Sequence, residues 1–135
     1  MQRNPIMATD IIRAISDEDS LKLFTFLATE KEKNTDTNTL ISLNGLTKKQ
    51  FYLRMQNLIR IGIVKRNSGV YHLTSFGQVI YFSKIKIDAA IKNYWALKAV
   101  DSFESTREIS SEVRKKLINS VVRDKIIKEI LLGQD

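Results

Sequence analysis

The sequence contains no cysteine, which excludes disulfide frameworks, thiolate zinc sites and cysteine nucleophiles, and leaves nothing to read about the redox surroundings. Its single histidine, His72, has no second His or Cys to complete a metal site or a catalytic triad, and reads as a half-exposed strand residue. There is no glycine-rich phosphate loop, no pairing of nucleophile with base and no metal-ligand spacing. The chain therefore does not read as an enzyme, and neither a cofactor nor a small-molecule ligand is implied. The acidic run Asp17, Glu18, Asp19 suits the start of a helix better than catalytic carboxylates. Every apolar run ends at a charge within a few residues, so no membrane-spanning helix and no membrane partner are expected. The opening residues offer only short apolar pairs broken by Asp10 and Arg13, unlike a signal peptide. The expected location is cytoplasmic.

The most telling scarcity is regional. Between Asp36 and Asp88 there is no Asp or Glu, yet the interval holds Lys48, Lys49, Arg54, Arg60, Lys65, Arg66, Lys84 and Lys86. The rest of the chain is close to neutral, so the formal net charge of +7 resides in one contiguous third of the molecule. A field of one sign attracts a polyanion, whereas a merely solubilising surface intersperses both signs. With 135 residues, 43% of them hydrophobic and 27% charged, the chain is an ordinary globular protein with one core and an appended helical element.

Local patterns divide the chain into elements. Residues 8–15 form a short helix with Thr9 as its cap, and residues 17–29 form a better one. There Asp17, Glu18 and Asp19 load the first turn, and Leu21, Phe24, Leu27 and Ala28 recur at helical spacing. Residues 30–39 are polar and read as a mobile loop. Residues 39–44 suit either a turn and a half of helix, ending at Asn44-Gly45, or a short strand. The strongest signature follows. Thr47 and Gln50 make a capping box, Leu46 precedes the cap and staples onto Phe51, and the helix runs to Arg60 before Gly62 stops it. At 100° per residue Phe51, Met55 and Leu58 share one stripe, with Arg54 and Ile59 on its borders. Lys49, Leu53, Gln56 and Arg60 lie opposite, flanked by Lys48, Tyr52 and Asn57. Two β-rich segments, 63–66 and 70–73, enclose Asn67-Ser68-Gly69 and predict a hairpin in which Gly69 takes a positive φ. Thr74 caps a long helix from Ser75 to about Phe103, uninterrupted by proline. A polar break follows, and then a last helix capped by Ser110 or Ser111 reaches nearly to the end of the chain.

The order of helix, short helix, capped helix and hairpin is that of a winged helix-turn-helix, and two runs of residues carry the likeness further. Leu46-Thr47-Lys48-Lys49-Gln50-Phe51-Tyr52-Leu53-Arg54-Met55-Gln56-Asn57-Leu58-Ile59-Arg60-Ile61-Gly62-Ile63-Val64 resembles the recognition-helix signature of winged helix regulators. Val70-Tyr71-His72-Leu73-Thr74-Ser75-Phe76-Gly77 resembles their second wing strand and the Tyr-x-Leu-Thr-x-x-Gly opening of the next helix, closest to the small archaeal members. The likeness covers residues 36–82. It implies a mainly α chain with a small β-hairpin, an α+β class, with a winged helix-turn-helix domain at 1–82; the long apolar helices that follow read as a C-terminal helical dimerisation element at 83–135. It also implies a transcription regulator whose recognition helix, about 47–61, enters the major groove of duplex DNA, while the wing, 63–73, touches the backbone or minor groove. The sequence departs from the family in its short first helix of the pair and in placing Leu53 where a polar base-reading residue is common.

On this reading Lys49, Tyr52, Leu53 and Gln56 face base edges. Lys49 suits guanine, Gln56 adenine and Leu53 a thymine methyl. Leu53 equally suits contact with a neighbouring loop, and Tyr52 either completes the core or bonds a phosphate. Thr47, Lys48, Gln50, Arg54, Arg60, Lys65, Arg66, Asn67 and Ser68 are the remaining DNA-binding candidates, chiefly as phosphate partners that position without specifying sequence. The C-terminal helices carry more apolar surface than so small a core covers, so Ile80, Ile87, Ala90, Ile91, Tyr94, Leu97, Val113, Leu117 and Val121 are expected at a homodimer seam. Twofold pairing would set recognition helices one DNA turn, roughly 34 Å, or a multiple of it apart on an inverted-repeat operator. The competing reading is a winged helix used as a protein-interaction module in a transcription or translation assembly.

Overall fold

The computed structural model describes residues 6–30, 35–106 and 110–133. Within them the chain is mainly helical with one small antiparallel sheet, an α+β arrangement. Eight helices and two strands follow in the order α1 (Ala8–Ala14), α2 (Glu18–Thr29), α3 (Thr37–Asn44), α4 (Lys48–Arg60), β1 (Val64–Asn67), β2 (Val70–Leu73), α5 (Ser75–Lys92), α6 (Tyr94–Thr106), α7 (Ser111–Val121) and α8 (Lys125–Leu132). The chain separates into two compact units, one up to Phe82 and one from Ser83. No described helix is long and apolar enough to cross a membrane.

Side-chain caps set most helix starts. Asp17 accepts from the Ser20 N–H, Asp36 from the Thr39 N–H and Thr47 from the Gln50 N–H, each cap stabilising its helix by about 1 kcal/mol. Helix α1 differs from expectation: Thr9 lies inside the helix and Met7 stands at the cap, its N–H donating to Asp10 Oδ2 at 2.9 Å. Helix α3 also starts earlier than residue 39, because Asp36 supplies the cap; it spans eight residues, and no strand forms there. Gly45, with φ 65°, ends it in the left-handed conformation that glycine tolerates best. Residues 31–34 of the expected loop lie outside the described residues.

In the first unit, Leu23, Phe24 and Leu27 of α2, Leu40 of α3, Phe51, Met55 and Leu58 of α4, and Ile63, Val64, Tyr71 and Leu73 of the hairpin segment form one buried cluster. Aromatic edges lock it, with Phe24 on Tyr81 and Phe51 on Tyr71, both at 5.6 Å between ring centroids. The hairpin pairs Val64 with Leu73, Lys65 with His72, Arg66 with Tyr71 and Asn67 with Val70. Its two-residue loop, Ser68 at φ 53° and Gly69 at φ 79°, is the doubly left-handed turn that matches strand twist. Asn67 thus belongs to β1 rather than to the turn. The residues before α3 line the outer edge of β2. Thr35 accepts the Tyr71 N–H at 3.0 Å, its hydroxyl donates to the Tyr71 carbonyl at 2.6 Å, and Asp36 bridges to Val70. An edge strand is thereby paired rather than left open.

The second unit has its own small core of Ala89, Val100, Ile118, Val122 and Ile127. The long helix expected from Ser75 to about Phe103 is two helices interrupted at Asn93. The Asn93 amide donates to the Ala89 carbonyl at 2.8 Å, competing with the backbone donor that also reaches it, and such local side-chain bonding interrupts helices. Helix α6 then continues to Thr106, past the polar break expected from Ser102. Residues 107–109 of that break lie outside the described residues. The last helix is likewise two, because Val122 is extended and buried and Asp124 caps a new start by accepting from Ile127 N–H.

Candidate nucleic-acid interface

Helix α4 is built by its own sequence. Leu46 is buried beneath it, and the Thr47 N–H donates to Gln50 Oε1 at 2.9 Å, completing the reciprocal capping box. The apolar stripe Phe51, Met55 and Leu58 is almost wholly buried. Amphipathic packing then dictates the rest: Lys48, Lys49, Gln50, Tyr52, Leu53, Gln56 and Arg60 are exposed on the remaining surface. Leu53 is 58% exposed, so no loop among the described residues covers it. Tyr52 divides its ring, which meets the edge of Phe51 at 5.4 Å while about half the residue faces solvent.

The candidates separate by what already engages them. Thr47 and Gln50 make the cap. Arg60 donates to Asn57 Oδ1 at 2.6 Å, which fixes both side chains on one turn and draws Asn57, on the edge of the polar face, into the group. Arg54 is half-buried and turned toward α2, its Nε 3.1 Å from Asp17 Oδ2. The angle lies outside hydrogen-bond geometry, so the contact is an ion pair. Burial pushes the Asp17 carboxyl up, but the Ser20 hydrogen bonds and the Arg54 charge outweigh it and hold its pKa below the usual 3.8. Arg54 therefore ties α4 to the start of α2, which Asp17's role as a cap did not foretell.

On the hairpin, Lys65, Arg66, Asn67 and Ser68 are all exposed. Period-two alternation sets Lys65 beside its partner His72 on one face and Arg66 beside Tyr71 on the other. The Arg66 guanidinium lies 5.3 Å from the Tyr71 ring centroid, a cation–π contact that steadies it. Lys48, Lys49, Arg60, Lys65 and Arg66 are thus exposed cations on two successive elements, with no acid between Asp36 and Asp88 to offset them. Lys84, further along that interval, pairs with Asp88 at 2.8 Å.

The junction from α4 through the hairpin to α5 depends on two residues. The Thr74 hydroxyl donates to the Gly62 carbonyl and accepts the Gly77 N–H at 2.9 Å, while the Thr74 N–H donates to the Ile63 carbonyl at 3.0 Å. A Cβ on Gly77 would collide with the Ile63 carbonyl oxygen. The Leu-Thr-x-x-Gly spacing is therefore a docking device. Thr74 closes both ends of the hairpin segment, and Gly77 lets α5 approach its backbone.

The seam residues are distributed differently from expectation. Ile80 packs against the first core, and Ala90, Leu97, Leu117 and Val121 pack against the second. Ile87, Ile91, Tyr94 and Val113 remain exposed. Among the described residues no three His, Cys, Asp or Glu side chains gather where they could hold a metal ion. None of the protein-family models, curated proteins or solved structures compared with this chain matches it.

Proposed function

We propose that this chain is a winged helix-turn-helix regulator of transcription that binds duplex DNA in the cytoplasm, with α4 in the major groove and the β1–β2 hairpin on the backbone or minor groove. The observation that carries the proposal is the outer face of α4. It is rigidly capped and uncovered, with Lys48, Lys49, Gln56 and Arg60 surrounding the exposed Tyr52 and Leu53. The order α2, α3, Gly45 turn, α4 and hairpin around one core supports the same reading. At 13 residues α4 is about 20 Å long, and an α-helix fits the roughly 12 Å major groove.

The roles follow from exposure. Lys49 and Gln56 donate to guanine and adenine edges, and Leu53 meets a thymine methyl. Lys48, Arg60, Lys65 and Arg66 neutralise phosphates, with Asn67 and Ser68 as neutral backbone partners. Arg54 acts chiefly by holding α4 in place. Such an interface is electrostatic first and sequence-reading second.

Selection from random duplexes at low ionic strength, followed by fluorescence anisotropy, tests the proposal. A bound sequence class is expected, together with a log-log salt slope of roughly −3 to −4 for about four neutralised phosphates. Competition by random duplex separates sequence-specific binding from general binding. Absence of association with any duplex overturns the proposal and favours a protein-interaction module.

A further inference from the structure

The second unit covers its small core but leaves a group of large apolar side chains outside it. Ile87 is 60% exposed, Ile91 67%, Tyr94 49% and Trp95 79%. Ile87 and Ile91 stand four residues apart on α5, the spacing of neighbours on one helical face, and Tyr94 and Trp95 open α6. The interruption at Asn93 falls between Ile91 and Trp95. Asn93 N–H donates to the Ala89 carbonyl at 3.1 Å, and Leu97 N–H to the Asn93 carbonyl at 2.9 Å. The Tyr94 ring meets the edge of Trp95 at 5.1 Å, and the Lys98 ammonium lies 5.6 Å from the Tyr94 ring centroid.

We infer that this face joins two copies of the chain in an isologous contact centred on Trp95. Area is the first argument. At roughly 150–250 Å² per large side chain, the exposed fractions amount to about 500 Å² per copy, near the top of what a monomer leaves open. Two copies bring together about 1,000 Å² before any rim is added, and a specific interface buries roughly 1,200–2,000 Å² in total. Charge is the second argument. The exposed charges beside the group, Lys86, Lys92, Lys98 and Asp101, include both signs, so a twofold-related copy can offer a counter-charge. Shape is the third. Ala99, one turn beyond Trp95, is exposed and small, so each indole has a shallow seat beside its counterpart. The expected seam is thereby redrawn: Ala90, Leu97, Leu117 and Val121 serve the unit's own core, and Trp95 becomes the anchor.

The inference does not rest on DNA binding, and its test contains none. Trp95 is the chain's sole tryptophan, so fluorescence excited beyond the tyrosine absorption band reports on this site alone. Sedimentation equilibrium across the micromolar range should show a reversible dimer. The tryptophan emission should move to the blue, and its quenching by iodide should fall, at the same midpoint. Ile91→Glu should weaken association about tenfold or more with an unchanged far-UV spectrum, and Ile12→Glu, on an exposed position of α1, should leave it intact. A monomer at every concentration overturns the inference, as does a dimer whose tryptophan stays as accessible as in the monomer. If Ile91→Glu fails to fold, the quenching measurement on the native chain decides alone.

Discussion

Helices α2 and α4 pack against each other in one core, have nearly the same length and are both side-chain capped, yet their first turns carry opposite charge. Glu18 and Asp19 follow the cap of α2, where negative charge meets the positive end of the helix dipole. Lys48 and Lys49 follow the cap of α4 and oppose that dipole, at a cost of about 0.3–1 kcal/mol each on an exposed turn. Helix α2 is charged for its own stability, whereas the first turn of α4 carries charge that its own stability does not explain and that the proposed duplex partner would. A segment that follows every local rule except one concentrates its function at the exception.

The largest expected effect attacks the difference directly. Lys48→Glu combined with Lys49→Glu and Arg66→Glu should lower duplex affinity at low salt by at least about 100-fold, as measured by anisotropy, because each lost cation forfeits counterion release. An unchanged affinity would remove the functional meaning of the contrast. Next in size, Gly77→Ala should cost about 1–3 kcal/mol in chemical denaturation, since its Cβ has only the Ile63 backbone to displace. That loss would show that α4 and the hairpin are held in register by α5. Thr47→Ala should cost about 1 kcal/mol as a lost cap, and Asp17→Ala more than that, because it removes the counter-ion of Arg54 along with the cap.

Smaller still is an effect of opposite sign. Lys48→Glu with Lys49→Glu should stabilise the fold by about 0.5–1 kcal/mol while weakening duplex binding, as seen in parallel melting and anisotropy experiments. The finest test uses pH. Asp36 is held below the usual 3.8 by its Thr39 hydrogen bonds, which outweigh its slight desolvation, and Asp17 lies below 3.8 as well. Their contribution is complete above the ordinary aspartate pKa and is lost as pH falls through the lowered values. Amide exchange at Ser20 and Thr39 should therefore accelerate below pH 3.8, relative to Gln50, whose cap is the uncharged Thr47.

Much of the first unit was legible because its signals are short-range. The capping box of α4, its buried stripe and the hairpin with Gly69 at a positive φ all depend on residues within a few positions of one another. What escaped notice depends on partners far apart in sequence. Asp17 was readable as a cap but not as the counter-ion of Arg54, and the polar residues before α3 gave no sign that Thr35 would pair with Tyr71. In the second unit the apolar spacing predicted helices correctly but not their ends. Asn93 and Val122 interrupt them without the glycine or proline that ordinarily marks a break.

By itself the sequence determined a capped amphipathic helix with a cationic outer face, a hairpin with Gly69 at a positive φ and an interval without acids, since caps, helical phase and turn dihedrals are settled between near neighbours. Only the tertiary structure decided that Arg54 faces α2, that Gly77 must have no side chain and that Trp95, rather than Leu97, stays outside the second core. Each of these is a question of which distant surfaces meet, and hydrophobic spacing marks a face as apolar without naming what will cover it.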